Sequence, residues 1–447
     1  MAAPFPGTGV PLEEHLARRR RVLDALGDDA MILASGRPRI YSRDTEYRFR
    51  PASDFFYLTG FPEPEAVLVL RPAAAAPVTL FVRPRDPKAE VWTGRRAGPE
   101  GAVADYGVDA AFPVAELDER LADLIDGARR LHYEPWLDAE LDARVRAALG
   151  QLRGKERFGR VAPEALVDPG ALLHEMRLVK SEAELAVLRR ACEITGTGHA
   201  AAMRACRPGL HEYQLQNVLE SHFLDHGAPA PGFATIVGGG DNACILHYVE
   251  NTDELRAGEM VLVDGGAEYG GYNGDVTRTY PVDGRFTPAQ RSLYDIVLAA
   301  LETGIEATRP GATIDGIHER TLRVLTEGLV DLGLVEGPVD EALSDRRFER
   351  YFMHRTSHWL GMDVHDVGRY RRDGASRPLV PGMVITVEPG LYIPADDESA
   401  PSDLRGTGVR LEDDVLVTAD GHENLTRAHV PVAPQEVEGL VGRDARR

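Results

Sequence analysis

Between Met260 and Tyr280 the chain places two acids where a water-soluble fold has to account for them. Met260-Val261-Leu262-Val263-Asp264 is an apolar strand ending in a carboxylate, and Asp275-Val276-Thr277-Arg278-Thr279-Tyr280 is a second β-rich run that begins with one. Five glycines, Gly265, Gly266, Gly270, Gly271 and Gly274, lie between the two acids. The pattern predicts an antiparallel pair joined by a turn of flexible backbone. In such a pair Asp264 and Asp275 can face each other, with Cβ atoms roughly 5 Å apart, where like charges are destabilising. Either one carboxyl is protonated, or a cation sits between them, or one Asp turns to solvent.

More chemistry-bearing residues follow in similar contexts. His354, His358 and His365 fall within twelve residues, in a chain with 14 histidines altogether. One His alone would read as a hydrogen-bonded structural residue, whereas a cluster beside Gly361 and Trp359 favours metal binding or acid/base work. Val384-Ile385-Thr386-Val387 is an apolar strand closed by Glu388 and a Pro-Gly turn. In Gly408-Val409-Arg410-Leu411-Glu412, alternation puts Arg410 and Glu412 on one face and Val409 and Leu411 on the other. Taken alone, that charged face would look outward to water. Taken together, Asp264, Asp275, His358, Glu388 and Glu412 form a set of four carboxylates and one imidazole. Such an oxygen-rich set without thiolate suits two close divalent ions of the Mn, Co or Zn type, and a pair of that kind activates water and polarises a carbonyl.

Composition narrows the classes of function. With 71 acidic against 51 basic residues the net charge is -20, so nucleic acid or anionic membrane would have to be met by a local basic patch. Arg18 to Arg21 is the obvious candidate, and it reads as the solvated face of an N-terminal helix. Three cysteines, Cys192, Cys206 and Cys244, make no disulfide framework, and Cys244 reads as a small buried hydrophobe. No apolar run approaches the ~18 residues of a membrane span, and the first ten residues lack the basic residue of a secretory leader. The expectation is a soluble cytoplasmic protein that binds neither nucleic acid nor membrane.

Two domains are predicted, 1–172 and 173–447. The first is α/β, with strands at 30–34, 66–70 and 78–82 and helical spacing at 117–124 and 141–149. Residues 150–172 carry Gly and Pro too closely for a long element. The second is α+β. It opens with a long helix behind a Ser181/Glu184 capping box that stops at Arg207-Pro208-Gly209, followed by helices across 212–226 and 288–308. The segments 230–285 and 380–418 are strand-rich, and no internal repeat is visible. Zinc-protease, nucleophile-elbow and phosphate-loop signatures are missing; Gly238-Gly239-Gly240, for instance, has no following Lys-Ser/Thr.

The motifs Val-Asp264-Gly-Gly, Gly-Asp275-Val-Thr-Arg-Thr, Ser-His358-Trp-Leu-Gly, Val-Glu388-Pro-Gly-Leu-Tyr and Val-Arg-Leu-Glu412-Asp-Asp resemble, in order, those of the Xaa-Pro aminopeptidase (aminopeptidase P) family. That family belongs to the pita-bread metallopeptidases, with prolidase and methionine aminopeptidase. Cys244-Ile245-Leu246-His247-Tyr248 is similar to the family's active-site histidine segment. Ser53 to Phe61 and Trp92-Thr93-Gly94-Arg95-Arg96 resemble its N-terminal domain, so the resemblance covers nearly the whole chain. It implies an α/β N-terminal domain and an α+β pita-bread catalytic domain. The implied activity is removal of an N-terminal residue that precedes proline, by a metal-bridging hydroxide. Two divalent ions, manganese first and zinc or cobalt as alternatives, would be held by Asp264, Asp275, His358, Glu388 and Glu412. Glu388 would act as general base, and His247 and His365 would stabilise the oxyanion or position substrate. His354 and Arg410 would contact the segment after the scissile bond, with Tyr370 and Asp44 near the pocket. Trp92, otherwise plain core, would reach a neighbouring subunit in a dimer or tetramer. The stretch from Tyr370 to Pro381 is one residue longer than the family pattern, so Arg371, Arg372 and Arg377 receive no role. Prolidase shares these ligands; a non-catalytic pita-bread binding module would lose them.

Overall fold

A computed structural model describes residues 9–444, which divide into two compact units, Val10–Met176 and Arg177 onward. In the N-terminal unit a six-stranded mixed sheet runs in the order Ala110–Pro113, Val78–Val82, Val67–Leu70, Ala30–Ala34, Arg130–His132, Ala165–Val167. The first three predicted strands are central because they are apolar on both faces: Val67–Leu70 and Val78–Val82 are buried at every position. Helices Leu117–Ile125 and Ala139–Gly154 cover the sheet with Leu121, Ile125, Leu141, Val145 and Leu152.

Two expectations for this unit are corrected. The helix Leu12–Leu26 forms, but Arg18 and Arg19 are buried, leaving only Arg20 and Arg21 of the basic run in water. Arg18 donates to the Tyr57 carbonyl at 2.9 Å and lies over the Tyr57 ring, and Arg19 donates to the carbonyls of Tyr106 and Gly107. Arg18 Nε also donates to Glu14 Oε1 at 3.2 Å, so its donors are taken up by carbonyl and carboxylate oxygens together. The second concerns only the ends of 150–172, which, as expected, holds no long element of its own. One helix runs to Gly154, Ala165–Val167 pairs parallel with Arg130–His132, and the helix Gly170–Leu178 starts before 172.

In the second unit the Ser181/Glu184 capping box forms as written: Ser181 Oγ accepts from Glu184 N, and Glu184 Oε2 accepts from Ser181 N. The helix behind it spans Glu182–Ala205. The element order then repeats, although the sequence shows no repeat. Helices Glu182–Ala205 and Glu212–Asp225 precede the antiparallel strands Met260–Gly265 and Val276–Pro281. Helices Pro288–Ala307 and Ile314–Asp331 precede the antiparallel Val384–Val387/Asp413–Val417 and Gly390–Ile393/Thr407–Arg410 pairs. Each helix pair packs on its own strands. Leu215, Leu219 and Phe223 meet Val261, Val263 and Val276, while Leu293, Val297 and Leu325 meet Ile385, Val409 and Val415. Each such side chain contributes about 1.5–3 kcal/mol.

Strand alternation aims the remaining residues elsewhere. Val261 and Val263 face the helices, so Leu262 faces Ile236 and Tyr392, and Asp264 continues on that side. Between the strands, Ala267–Tyr269 and Tyr272–Asn273 make a small hairpin around Gly270 and Gly271, both at positive φ. The ladder therefore sets Asp264 opposite Thr277, not Asp275, which sits one residue before its strand begins. Asp275 enters against helix Glu182–Ala205, and only glycine fits just before it. A Cβ on Gly274 would lie 2.6 Å from Thr195 Oγ1 and 3.1 Å from the Ala191 carbonyl oxygen.

Beneath these strands Arg278 and Asp413 are both fully buried and paired at 2.6 Å, with Arg427 on the other Asp413 oxygen. Removing one member of such a pair leaves an uncompensated charge. Arg278→Met is expected to lower the unfolding free energy by about 3–5 kcal/mol, measured by urea unfolding followed by circular dichroism. An unchanged midpoint would contradict it.

Candidate metal centre

A cavity of about 890 Å³ lies in the second unit and is lined by Asp264, Asp275, His358, Glu388, Glu412, His247, His354, His365, Tyr370 and Arg410. The prediction that Arg410 and Glu412 share a face is right in pairing, but that face looks inward: both residues are buried, Arg410 at 4% exposure and Glu412 at 2%. Val409 and Leu411 fill the core on the opposite side. Glu388 follows directly on Val384–Val387. Its backbone N–H donates to the Thr356 carbonyl at 2.8 Å, and Thr386 N donates to the His358 carbonyl at 3.0 Å, so strand and histidine segment are stitched together.

Donor atoms of Asp275, His358 and Glu412 all lie within 4.8 Å of one another. His358 Nε2 is 3.4 Å from Asp275 Oδ2 and 3.7 Å from Glu388 Oε1. Its Nδ1 is 3.0 Å from the Trp359 carbonyl and must donate there, which leaves the Nε2 lone pair facing the acids. Glu412 Oε2 accepts from Thr277 Oγ1 at 2.7 Å. Asp264 Oδ2 accepts from Arg410 Nη2 at 2.6 Å, whereas Asp264 Oδ1 is buried with no hydrogen-bond partner among the described residues.

Four carboxylates, Asp264, Asp275, Glu388 and Glu412, thus cluster about a single buried guanidinium, Arg410, while Arg355 and Arg371 pair with Asp315 elsewhere on the cavity lining. Burial, followed by repulsion from Asp264 and other acids, raises Asp275 well above the usual carboxylate range. Burial, with repulsion from Asp275, Glu388 and Asp264, does the same to Glu412. Glu388 is pushed up to about 7, chiefly by burial and against the opposing pull of His358 and Arg410. Behind them Asp414 accepts from Asp275 N and the Cys192 thiol, and burial lifts it to about 7. The chemistry of this donor set, with one orphaned carboxylate oxygen and one oriented imidazole, fits divalent cations.

On the neighbouring wall His354 is neutral. His354 is held to about 3, mainly by burial and secondarily by Arg410. Its Nδ1 donates to the Arg355 carbonyl at 2.8 Å, and the Tyr392 hydroxyl, 2.8 Å from Nε2, donates into the ring. Arg410 Nη1 in turn donates to the Tyr392 oxygen at 3.1 Å. Sequence reasoning missed Tyr392; the Pro-Gly-Leu-Tyr that follows Glu388 was its only signal. His365 meets the His358 ring edge-on at 4.5 Å, and burial lowers its basicity. Asp366 fixes the His365 segment: fully buried, it takes Arg177 at 2.6 Å and Lys180 at 3.0 Å. The Tyr370 hydroxyl accepts from Trp359 N at 3.0 Å. After Tyr370 the chain makes a tight hairpin, Arg371–Arg372 with Ala375–Ser376, turning through Asp373 and Gly374, both at positive φ. It brings Arg371 to the cavity lining and within 2.6 Å of Asp315.

Two predicted site residues belong to the N-terminal unit. Asp44 is exposed in the turn between Ile40–Ser42 and Thr45–Glu46. Trp92 is 87% exposed in a helix, Pro87–Thr93, with no buried residue, so it is not core. Cys244 is half-buried beside Ile236 and Tyr392 rather than fully enclosed.

A fold of helix pairs on antiparallel strands, closing over a carboxylate-rich centre, defines a pita-bread metallohydrolase. The profile of Metallopeptidase family M24 matches residues 186–419, and that of the aminopeptidase P N-terminal domain matches 15–132. The chain belongs to metallopeptidase family M24. It is 46% identical over 432 residues to a Xaa-Pro aminopeptidase of Escherichia coli strain K12, covering 96% of this chain and 97% of that one. It is similar to the solved Pseudomonas aeruginosa aminopeptidase PepP, with TM-score 0.95, 45% identity and 98% and 99% of the two chains covered. Zinc-substituted E. coli aminopeptidase P in complex with product matches with TM-score 0.94, 45% identity and the same coverage.

The raised carboxyls give a pH dependence with a definite sign. A carboxyl whose folded-state pKa is raised stabilises the fold below its unfolded value, near 4, and that contribution is lost as pH climbs through the folded value. Glu388, at about 7, defines the window. The melting temperature of metal-free protein is expected to fall from pH 5 to pH 8, and the increase caused by manganese is expected to grow over the same range. A manganese effect independent of pH would contradict the cluster's role.

Proposed function

We propose that the chain is a metal-dependent Xaa-Pro aminopeptidase, hydrolysing the bond between an N-terminal residue and a following proline. The observation that carries this is the junction of two environments in one cavity. Repelling acids around His358 form one side, and neutral His354, linked through the Tyr392 hydroxyl to the buried cation Arg410, forms the other. Asp264, Asp275, His358, Glu388 and Glu412 would hold two divalent ions. When bound, such a pair supplies Lewis-acid polarisation of a carbonyl and an acidified water.

This chain's own groups do the rest. Glu388 takes the proton of the attacking water on its carboxylate and passes it to the leaving proline nitrogen. His247 and His365 donate N–H to the oxygen that gains charge as the carbonyl becomes tetrahedral. Proline has no N–H to offer and a fixed ring, so its subsite recognises shape. Neutral His354, held by Tyr392, presents a ring face there without a charge to desolvate, and Arg410 remains available to backbone carbonyls beyond it. Manganese is the proposed ion, with zinc or cobalt able to replace it, since the donors are mostly oxygen. Peptides with proline second are the proposed substrates. A homo-oligomer, dimer or tetramer, is proposed from Trp92 together with exposed Ile40, Tyr41, Tyr47 and Val91 on the N-terminal unit. Tyr370, Asp44 and Trp92 are proposed to bound the substrate. A cytoplasmic location is proposed, and no described helix is long and apolar enough to cross a membrane.

The manganese-loaded protein should release arginine from Arg-Pro-Pro; activity confined to the dipeptide Gly-Pro would make it a prolidase, and no hydrolysis with no bound dication would leave a binding module. In the same assay Glu412→Ala should empty at least one metal position and remove most of the turnover, while His365→Ala should slow turnover with metal content near two. Loss of metal in the second variant would make His365 a ligand.

A further inference from the structure

His247 reaches the cavity on an arm, residues 240–253, that follows the strand Ile236–Gly239, whose first residue pairs with Asp264 and whose last pairs with Val261. The His247 side chain is itself exposed, and no described residue hydrogen-bonds its ring. What fixes it lies behind it. Glu212, in the first turn of helix Glu212–Asp225, is fully buried and pairs with no Lys or Arg among the described residues. A buried carboxylate without a counter-ion is costly unless hydrogen bonds replace its water.

All of its partners lie on the arm or at its ends. Oε1 accepts from Gly239 N at 2.8 Å and Asn242 Nδ2 at 3.0 Å, before His247. Oε2 accepts from the Tyr248 hydroxyl at 2.8 Å and Asp253 N at 2.9 Å, after it. One helical turn on, Gln216 accepts from Asn251 Nδ2 at 2.9 Å, and Asn251 Oδ1 takes Val237 N. The glycine run that makes no phosphate loop serves this packing. A Cβ on Gly238 would sit 2.9 Å from the Asn242 backbone, and one on Gly408 would sit 2.3 Å from the Ala243 carbonyl oxygen.

We infer that Glu212 is the positioning residue for His247: its two oxygens clamp the arm on both sides of that histidine and aim the ring at the reacting carbonyl. Glu212 has this role only if His247 takes part in the reaction as proposed above. Glutamine at 212 keeps the volume but turns one acceptor into a donor that faces two donors.

The test is Glu212→Gln, His247→Ala and the double variant, each as the manganese-loaded full chain hydrolysing Arg-Pro-Pro. Glu212→Gln should lower kcat by about ten- to a hundredfold with little change in KM and unchanged metal content. In the His247→Ala background the same substitution should change kcat by less than about twofold. If Glu212→Gln does not fold, Tyr248→Phe, which deletes one donor, should give a smaller loss that is likewise absent without His247. Effects that multiply in the double variant, or a folded Glu212→Gln with normal kcat, would overturn the assignment while leaving His247's role intact. A normal kcat in His247→Ala would overturn that role and the assignment with it.

Discussion

Two carboxylates brought together in a protein interior repel more strongly than in water, and four cluster at one end of this cavity. Asp264, Asp275, Glu388 and Glu412 come from four strand ends, so the catalytic unit cannot close without forcing them together. Arg410 neutralises one of them. Protons compensate the remainder in the absence of metal, which is why burial and mutual repulsion drive Asp275, Glu388 and Glu412 upward. Dications compensate them better, because each brings two positive charges and accepts several oxygens at once. The fold stores repulsion that metal binding releases, coupling stability, metal affinity and pH at one place.

The layers behind the acids convert that compensation into a fixed geometry. Thr277 holds Glu412, the Trp359 carbonyl sets the His358 tautomer, and Asp414 receives the backbone of Asp275. Asp413 stands beside Asp414 but does a different task, locking Arg278 beneath the strands. Adjacent acids of one sequence run therefore do three different tasks: Glu412 faces the cavity, Asp413 holds Arg278 in the core, and Asp414 backs Asp275. On the substrate side, Tyr392 links His354 to Arg410. One wall can then present neutral surface to a proline ring without abandoning a buried cation.

Much of this was legible from residue order alone. Period-two alternation paired Arg410 with Glu412 and separated them from Val409 and Leu411, and the Ser181/Glu184 box located the start of the long helix. What alternation cannot supply is which face meets water: that depends on helices arriving from residues 288–331, more than 80 positions away in the sequence for some partners. The same limit misplaced Arg18 and Arg19, whose carbonyl acceptors lie at Tyr57, Tyr106 and Gly107. The opposition of Asp264 and Asp275 failed for a local reason, the extra hairpin at Gly270 and Gly271 that shifts the register. Glu212 carried no motif and Tyr392 only closed the one that begins at Val387-Glu388, so the packed structure alone shows what they hold.

The compensation of buried acids by dications is tested most directly by calorimetric titration of the metal-free protein with manganese at pH 6. Buffers of different ionisation enthalpy report the protons exchanged. Carboxyls held protonated by burial must release those protons when the metal arrives, so the observed enthalpy should vary with the buffer and give net proton release. Buffer-independent enthalpy, with no protons released, would contradict the account.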